Sequence, residues 1–485
     1  MNRELKRVSV VVLVMFFALF GSTTVIQVFQ ADALRLDARN TRALYDSYDT
    51  ERGPILAGST VIAQSVPTGD QFVFQREYPQ GELYAPVTGF FNPTQGSAGI
   101  EQYMNDYLSG TSNSQFLDSI NRIVAGQAPK GAAVEVTIDP VVQQVAFDVL
   151  GDREGAVVAI EPSTGRILAM VSTPTYDPNT LASHDSKSVI DAYEALEADP
   201  LDPLINRATS GDMNPPGSTF KVVVAAAAIA SGKYTPESTF PNPASLQLPG
   251  SSAVVYNWTR STCGPGETVT LAEAIRQSCN IPLAELGMEL GDEALREQAE
   301  KFGFNSEMAL PTPTGVSVYP TKDLDDAQTA LTAFGQYEVR ATPLQMALVS
   351  AGVANKGTVM APTLVDRVTG RNLEVLKSFE PQVMNEALTE EQCVPLTEMM
   401  VNGVSAGQSN GARIEGVDVA GKTGTAQNGE GEPYSLWFTG FAPASNPEVA
   451  VAVVVENDGN LGHHSSGNIV AAPIAKKVIE AVLNK

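Results

Sequence analysis

The residues best suited to covalent chemistry are Ser218 and Lys221, which stand at the start of a long apolar segment. Pro215 and Pro216 come just before them and an alanine-rich run follows, so we predict a helix that begins near Ser218. Free N–H groups and the helix dipole would then favour negative charge on the serine oxygen. Lys221 would lie on the same helical face, where burial lowers a lysine pKa and makes the amine a base. The pair predicts a serine nucleophile with a lysine base, although a helix end with a solvated lysine has the same pattern.

A second polar pair, Ser278 and Asn280, follows further along the chain. Thr270 and Glu273 have the pattern of a capping box, which predicts a helix that runs toward Ser278. At the end of that helix, Ser278 could relay a proton between Lys221 and a leaving amine, and the Asn280 amide could bind a peptide group. Taken alone, the pair is more typical of ordinary polar caps between two helices.

A third group, at 422–425, lies in an alternating stretch bounded by glycines, which predicts a strand. Gly424 would let the backbone approach a ligand closely. Lys422 and Thr423 could hold a substrate carboxylate, and the Thr425 N–H could join that of Ser218 as an oxyanion hole. An exposed strand end with a lysine is the alternative. Because three such groups occur in one order, we interpret them as one catalytic site.

Together the three groups resemble the Ser-x-x-Lys, Ser-x-Asn and Lys-Thr-Gly signature of penicillin-binding proteins and class A β-lactamases. From roughly residue 50 onward, the chain is similar to class B penicillin-binding proteins, most of all to the actinobacterial PBPA type. The stretches that carry this similarity are 51–56, 99–103, 108–110, 155–162, 165–170, 176–179, 206–208, 342–347 and 437–443. Tyr337 is a departure, because many relatives have glycine between Gln336 and Glu338. This position lies in a loop of the family, outside the three motifs.

The resemblance implies an α+β fold in which helices cover an antiparallel five-stranded sheet, after a β-rich pedestal and one transmembrane helix. It implies D,D-transpeptidation of peptidoglycan stem peptides through an acyl-enzyme, with release of D-alanine and covalent inhibition by β-lactams. The implied catalytic residues are Ser218, Lys221 and Ser278, and the implied substrate-binding residues are Asn280, Lys422, Thr423, Gly424 and Thr425. No cofactor is implied. A membrane glycosyltransferase of the RodA/FtsW type would be the partner.

Three alternatives stand beside a transpeptidase: a β-lactamase, a penicillin sensor and a non-catalytic scaffold. A β-lactamase needs neither an anchor nor a pedestal. A sensor should carry a cytoplasmic signalling module, whereas about seven residues precede the apolar run. A scaffold would be expected to lose motif residues, and this chain retains them. These features favour the transpeptidase.

The composition predicts an acidic protein with several folding units. With 485 residues, we divide the chain into a cytoplasmic tail (1–7), an anchor (8–29), a pedestal (35–130) and a transpeptidase domain (131–485). The net charge of −24 comes from 55 acidic and 31 basic residues without a basic patch, so nucleic-acid binding is not expected. The pedestal segment is too short for a catalytic glycosyltransferase domain, which predicts a monofunctional enzyme.

The N-terminal segment predicts a membrane anchor. Arg3, Lys6 and Arg7 precede the apolar stretch 8–29, which is long enough to cross a bilayer. Positive charges keep the N-terminal end in the cytoplasm and place the remainder outside. A cleaved signal peptide, with small residues at 31 and 33 near its cleavage site, is the alternative. The resemblance implies an uncleaved anchor, and therefore a single-pass protein of the cell membrane with an extracytoplasmic catalytic domain.

The chain has three cysteines and three histidines. Outside the membrane disulfides are permitted, and a bridge between Cys263 and Cys279 would hold the loop that carries Ser278 and Asn280. Two buried free thiols are the alternative, and Cys393 has the setting of a core residue. The histidines show no ligand spacing, so no metal site is expected.

Hydrophobic periodicity predicts the elements around the motifs. We expect a hairpin from 156–160 and 166–171, helices after 218 and 270 and over 343–354, strands at 417–426, 436–441 and 449–455, and a terminal helix over 470–483. Strands from both ends of this region, with helices between them, predict an α+β domain around an antiparallel sheet.

Overall fold

The computed structural model describes residues 3–26, 49–69, 72–93, 95–115, 130–211, 213–429, 431–457 and 465–484. Its first helix, α1 (Arg3–Thr24), is apolar, and none of its side chains is buried. Within the described ranges it is the one helix long and apolar enough to cross a membrane. It overlaps the predicted anchor but already begins at the basic residues, and residues 27–29 of that prediction lie outside the described ranges.

The N-terminal region combines short strands with short helices. Its elements are β1 (Ile55–Ala57), β2 (Thr60–Pro67), β3 (Phe74–Glu77), α2 (Gly81–Thr88), β4 (Phe91–Asn92), β5 (Gly96–Ser97), α3 (Gly99–Tyr103), α4 (Asn105–Leu108) and β6 (Ala133–Val136). The strands agree with the predicted β-rich pedestal, whereas the three short helices were not predicted. Each has at most eight residues, too few for helical periodicity to stand out in a sequence.

Two strands from the C-terminal half complete the N-terminal sheet. With β14 (Val365–Thr369) and β15 (Val375–Ser378), the sheet has the order β15–β14–β6–β1–β2–β3. Strand β6 pairs in parallel with β1 and antiparallel with β14. The boundary predicted between residues 130 and 131 falls just before β6, so it does not separate two independent sheets. The shared sheet ties the pedestal to the domain that follows.

A buried ionic cluster lies inside the N-terminal region. Glu101 accepts hydrogen bonds from Arg52 at 2.7 Å and from Arg76 at 2.6 Å, and all three side chains are at most 4% exposed. The Arg52 guanidinium also lies 3.8 Å from the centroid of the Phe91 ring. Burial alone would raise the pKa of Glu101, but the two guanidinium groups hold it below its usual value.

The C-terminal region is an antiparallel sheet covered by helices, as predicted. The sheet strands are β7 (Glu154–Ile160), β8 (Ile167–Thr173), β17 (Ala420–Ala426), β18 (Ser435–Ala442) and β19 (Val449–Asn457). Their order is β17–β18–β19–β7–β8, with β17 at one edge. Shorter strands are β9 (Thr239–Pro241), β10 (Ser245–Gln247), β11 (Val254–Tyr256), β12 (Thr268–Thr270), β13 (Thr358–Met360) and β16 (Val383–Glu386). The helices are α5 (Pro140–Leu150), α6 (Ser186–Glu197), α7 (Lys221–Ala230), α8 (Leu271–Gln277), α9 (Ile281–Leu290), α10 (Asp292–Lys301), α11 (Asp326–Thr332), α12 (Pro343–Ala354), α13 (Glu390–Ser405) and α14 (Ala471–Leu483).

The central strands are buried on both faces, so they read as continuous apolar runs. Along β19, Ala452 and Val454 pack into a core shared with α12, whereas Val451 and Val453 pack into a second core shared with α5 and α14. Successive side chains of a strand point to opposite faces, so one strand serves both cores.

Most of the predicted elements of this region are confirmed. Strands β7 and β8 form the predicted antiparallel hairpin, and α12 covers the predicted range 343–354. Strand β17 begins later than the predicted 417, because Ile414 and Val417 close a turn of their own. Turn contacts of this kind set the ends of elements, and hydrophobic periodicity does not encode them.

Candidate active site at the edge of the five-stranded sheet

Ser218 lies in a tight turn that leads into α7. The turn, Gly217–Phe220, is a 3₁₀ helix, and Ser218 is half-buried within it. Behind the serine, the Phe220 ring packs against the rings of Tyr319 and Phe304. A helical turn therefore begins where the sequence predicts, although α7 itself begins at Lys221, and aromatic packing fixes the turn that carries the hydroxyl.

A neighbouring loop supports this turn. Gly217, with a φ of 53°, donates its N–H to the Gly335 carbonyl at 3.0 Å. A Cβ on Gly335 would lie 2.1 Å from the Gly217 carbonyl oxygen, so only glycine fits there. Nearby, Tyr337 has a φ of 62°, in the left-handed region that glycine adopts at little energetic cost. The Arg340 side chain donates a hydrogen bond to the Tyr337 carbonyl at 2.9 Å. Although tyrosine replaces the glycine of many relatives at position 337, the backbone there is left-handed.

Lys221 occupies a fully buried position at the start of α7. Its Nζ donates to the Ser278 carbonyl and to Asn280 Oδ1, both at 2.8 Å. Burial, and then the charge of Lys422, lower the pKa of Lys221 well below its usual value. In the described part of the chain no hydrogen bond joins Lys221 to the Ser218 hydroxyl, and the amine is bonded to the second motif. The amine links the nucleophile's helix to that motif.

Ser278 ends α8 in a left-handed conformation with a φ of 60°, which is strained for any residue other than glycine. The turn directs its Oγ toward Lys422, whose Nζ donates to it at 2.7 Å. Lys221 is therefore hydrogen-bonded to the Ser278 carbonyl, whereas the Ser278 hydroxyl is hydrogen-bonded to Lys422. Lys422 is 1% exposed, and burial lowers its pKa to about 7. A hydroxyl and an amine that titrates near neutrality are therefore in direct contact.

Asn280 is held on several sides. Its Oδ1 accepts from Lys221, its Nδ2 donates to the Tyr256 carbonyl at 2.9 Å, and its backbone N–H donates to Asn257 Oδ1 at 2.9 Å. The buried Asn257 also accepts from the Ile281 N–H at 3.1 Å. An amide carries two N–H protons, so a second one remains to meet a substrate carbonyl.

Strand β17 forms the free edge of the sheet and carries the third motif. The Thr423 N–H donates to Ser409 Oγ at 3.0 Å, and the Thr423 hydroxyl donates to the Gln408 carbonyl at 2.8 Å. In this arrangement the one hydroxyl proton of Thr423 is donated within the protein, so the predicted contact with a substrate carboxylate would require the hydroxyl to change partner. Thr423 instead fixes β17 against the segment 408–409.

Gly424 allows β17 to approach the turn that carries Ser218. A Cβ on Gly424 would lie 2.8 Å from the Pro216 carbonyl oxygen and 3.2 Å from Thr219 Cγ2. The sequence predicted a close backbone approach at this glycine, and the group that approaches is the chain's own turn. A side chain here would push Lys422 and its strand away from the serine.

Thr425 turns its backbone toward the same edge. The Thr423 N–H points away from β18, toward Ser409, and in a strand the N–H two residues on points the same way. The Thr425 N–H therefore lies on the free edge of β17, as the oxyanion-hole expectation requires. The Thr425 hydroxyl is half-buried and accepts from the Gly467 N–H at 3.2 Å, so its own proton can be donated to a ligand.

A disulfide joins Cys263 to Cys279, with the two Cα atoms 5.8 Å apart. Both residues are buried, and Cys279 is the middle residue of the second motif. The bridge ties that motif to the loop after β11, and a cavity of about 370 Å³ lined by neutral residues lies beside it. Cys393 is free and buried, and burial raises its pKa to about 12.

Several residues that shape the site were missed from the sequence. Asn257, Gln408 and Ser409 lie 14 or more residues from the motif residues that they contact, and they belong to no motif of their own. Asn214 stands just before the Pro-Pro-Gly that precedes Ser218, and that proximity is the one available hint of its role. In the ranges that the structure covers, no group of three or more His, Cys, Asp or Glu side chains could hold a metal ion.

Two known families match the chain in succession. The penicillin binding protein A dimerisation domain matches residues 52–134, and the penicillin binding protein transpeptidase domain matches residues 155–480. The second match contains all three motifs, and the first covers the strands and short helices of the N-terminal region.

Full-length relatives give the same result. The peptidoglycan D,D-transpeptidase PbpA of Mycolicibacterium smegmatis is 41% identical, with 100% of both chains aligned. PbpA of Mycobacterium tuberculosis H37Rv is 41% identical over 100% of this chain and 99% of its own. The solved ceftriaxone acyl-enzyme complex of M. tuberculosis penicillin-binding protein A is 40% identical, with a TM-score of 0.87 over 91% of this chain and 100% of that one. The chain therefore belongs to the class B penicillin-binding proteins and is of the PBPA type.

Proposed function

We propose that this protein is a peptidoglycan D,D-transpeptidase that cross-links stem peptides through an acyl-enzyme on Ser218. The observation that carries the proposal is the convergence of Ser278, two buried lysines and the turn that carries Ser218 at the edge strand β17. The relatives named above support it, since they are called D,D-transpeptidases and one of them forms an acyl-enzyme with ceftriaxone.

In the acylation step, the Ser218 oxygen bonds to the carbonyl carbon between the two terminal D-alanines, and its proton passes to the neutral amine of Lys221. The burial that disfavours the charged form of Lys221 supports this role. Catalytic hydrogen bonds often form only when substrate is bound, so the present contacts of Lys221 with the second motif are compatible with it. The N–H groups of Ser218 and Thr425 hold the oxyanion.

Departure of D-alanine breaks the C–N bond and requires a proton on the leaving nitrogen. The Ser278 hydroxyl supplies that proton and regains one from Lys422, which already donates to it. In the second half of the reaction an acceptor amine attacks the ester carbon and its proton passes through Ser278 to Lys422. The C–O bond to Ser218 then breaks, and Lys221 returns its proton to the Ser218 oxygen. Penicillin would acylate Ser218 and stay, because its leaving group remains attached.

The same residues offer a binding site for the donor peptide. The charged amine of Lys422 and the hydroxyl of Thr425 would hold the terminal carboxylate, and Asn280 would hold a backbone carbonyl. Gly424 keeps the strand close to Ser218. We assign Thr423 a positioning role, because its hydrogen bonds are made within the protein.

We also propose that α1 anchors the catalytic domain outside the cell membrane as a single-pass protein. Its side chains are all unburied, and the basic residues lie at its N-terminal end, which favours that end in the cytoplasm. A membrane glycosyltransferase of the RodA/FtsW type would supply the glycan strands. Such a partner should co-purify with the full chain and be lost when residues 1–29 are replaced by an unrelated anchor.

The direct test of function is release of D-alanine and formation of cross-linked product from a stem pentapeptide and an acceptor amine. The full chain should give both, and Ser218→Ala should give neither. Ser231→Ala, at the exposed end of the same helix, should keep the wild-type rate. Rapid repeated hydrolysis of penicillin without cross-linking would favour a β-lactamase, and penicillin labelling without D-alanine release would favour a sensor.

A further inference from the structure

Behind the nucleophile's turn, Asn214 connects two strands of the sheet. Its Nδ2 donates to Glu456 Oε1 at 2.7 Å, and its Oδ1 accepts from Ser435 Oγ at 2.7 Å. Glu456 lies near the end of β19, and Ser435 is the first residue of β18. Asn214 belongs to neither strand and stands just before the turn that carries Ser218.

Both neighbours of Asn214 are themselves fixed. Glu456 Oε2 accepts from Arg207 Nε at 3.1 Å, and the 8% exposed Arg207 side chain also pairs with Glu154 at 3.2 Å. Ser435 is completely buried and lies 2.9 Å from Nδ2 and 3.1 Å from Oδ1 of Asn428, in the turn that follows β17. The Asn214 amide is therefore the central link between a buried ion pair and the base of the β17–β18 hairpin.

The hydrogen bonds of Asn214 lie beside the place where the turn that carries Ser218 packs against β17. These two segments carry the two N–H groups of the proposed oxyanion hole. A Cβ on Gly217 would lie 3.0 Å from the Cβ of Ala426, and Ala426 pairs with Ser435 across the hairpin. A displacement of the turn relative to β17 would separate the N–H groups of Ser218 and Thr425. Errors of about 1 Å in such positions can cost about a hundredfold in rate.

We propose that Asn214 and Glu456 are positioning residues for transpeptidation, and that they hold the Ser218 turn in register with β17 through the Asn214 amide. The inference rests on the proposed roles of Ser218 and Thr425. It requires a hydrogen-bond donor at position 214 and an acceptor at position 456, with Ser435 donating from the other side. Neither residue contacts the reacting atoms, so the effect is on the geometry of acylation.

The test exchanges donor and acceptor in the full-length protein. Asn214→Asp places two carboxyl groups against each other while the Ser435 hydroxyl keeps its acceptor, so acylation by a fluorescent penicillin at neutral pH should slow at least about tenfold. Adding Glu456→Gln restores the hydrogen bonds between positions 214 and 456 and between 456 and Arg207, because the new amide donates to the introduced carboxylate and its carbonyl accepts from Arg207. The double variant should return to within about threefold of wild type.

A matched control separates positioning from general damage. Glu154→Gln breaks the other ion pair of Arg207 without touching Asn214, and its acylation rate should stay within about twofold of wild type.

The pH response of Asn214→Asp adds a second readout. Lowering the pH should let the facing carboxyl groups share a proton, so the rate of this variant relative to wild type should rise. Burial already raises the pKa of Glu456, and Arg207 and Glu154 are the charged groups that face it.

Each variant is compared with wild type by thermal melting as well as by rate. If Asn214→Asp does not fold, Ser435→Ala removes the other bond of the bridge and should slow acylation in the same direction. The inference is overturned if Asn214→Asp acylates at the wild-type rate, if the double variant is as slow as the single one, or if Glu154→Gln is slowed equally. Labelling that persists in Ser218→Ala would instead overturn the proposed function, whatever these variants do.

Discussion

The protein buries charged side chains around Glu101 and at the candidate active site, and the two groups are built in opposite ways. Around Glu101, one carboxylate is shared by Arg52 and Arg76, with hydrogen bonds at 2.6 to 2.7 Å. At the site, Lys221 and Lys422 are both buried, and in the described part of the chain their hydrogen-bond partners are uncharged carbonyl, amide and hydroxyl oxygens. The first cluster contains a carboxylate between its two cations, and the second contains none.

This difference separates a structural cluster from a chemical one. A paired carboxylate and guanidinium stay charged across the physiological range and contribute to holding the fold. Two lysines that are buried without a carboxylate partner have lowered pKa values, so their neutral amines become available for proton transfer near neutral pH. Burial alone does not identify a catalytic lysine; burial without a carboxylate partner does so far better.

Replacing the proposed base should have the largest effect. Lys221→Arg and Lys221→Ala should each slow acylation by about 10³-fold or more, because arginine stays protonated and alanine has no base. Lys233→Arg, an exposed lysine just beyond α7, is the matched control and should acylate normally. An arginine variant that acylates near the wild-type rate would reduce Lys221 to an electrostatic role.

Removing the carboxylate of the Glu101 cluster should lower the stability of the fold without changing the rate of acylation. Glu101→Gln leaves two buried guanidinium groups without their carboxylate, so the free energy of unfolding should fall by about 3–5 kcal/mol. Glu135→Gln, which breaks a more exposed pair with Arg367, should cost about 1 kcal/mol or less. Denaturant unfolding measures both, and penicillin labelling per folded molecule should stay unchanged. A loss of labelling without a loss of stability would contradict the contrast between the two clusters.

Opening the disulfide should have an intermediate effect on both the stability of the fold and the rate of acylation. Cys263 and Cys279 are 16 residues apart, and in the chain-entropy model closing such a loop contributes about 3 kcal/mol. Cys263→Ser should therefore melt at a lower temperature and acylate more slowly, because the second motif is less firmly held. Cys393→Ser, at the free cysteine, controls for the loss of a buried thiol. Alkylation of all three cysteines without reduction would show that the bridge is absent.

The pH profile should show the smallest and most specific effect. Lys422 titrates at about 7, so the charge that holds the substrate carboxylate should be lost above that pH, with a decrease in kcat/KM of about tenfold by pH 8. Lys422→Arg should remove this basic limb, and a limb that persists in the variant would assign it elsewhere. The effect of pH on stability has the opposite sign. Between about pH 7 and 10.5, Lys422 binds a proton in the unfolded chain more often than in the folded protein. Its contribution to the free energy of unfolding therefore rises with pH over this range.

The sequence was sufficient for local features of the site. Helix starts at Ser218 and Thr270, and the close approach at Gly424, follow from proline, capping and glycine chemistry, which act over a few residues. The five-stranded sheet followed from continuous apolar runs such as β19 and β18, together with the resemblance to a known family.

Contacts between distant segments were beyond the sequence. The partners of Lys221 and Ser278 depend on how α7, α8 and β17 meet, and a shift of a few ångströms decides which amine reaches which oxygen. The hydrogen bonds of Thr423 could not be predicted for the same reason, since Ser409 comes from a separate segment. Hydrophobic periodicity can identify a strand, but it does not show which strand will pair with it. It therefore could not reveal that β14 and β15 complete the N-terminal sheet.

The most direct test of the proposed chemistry is to locate the covalent adduct on the full-length protein. After brief labelling with penicillin, proteolysis and mass spectrometry should find the acyl group on Ser218 alone, and labelling should vanish in Ser218→Ala while Ser278→Ala is labelled more slowly at the same residue. An adduct on Ser278 or any other serine, or labelling that survives in Ser218→Ala, would contradict the assignment of Ser218 as the nucleophile.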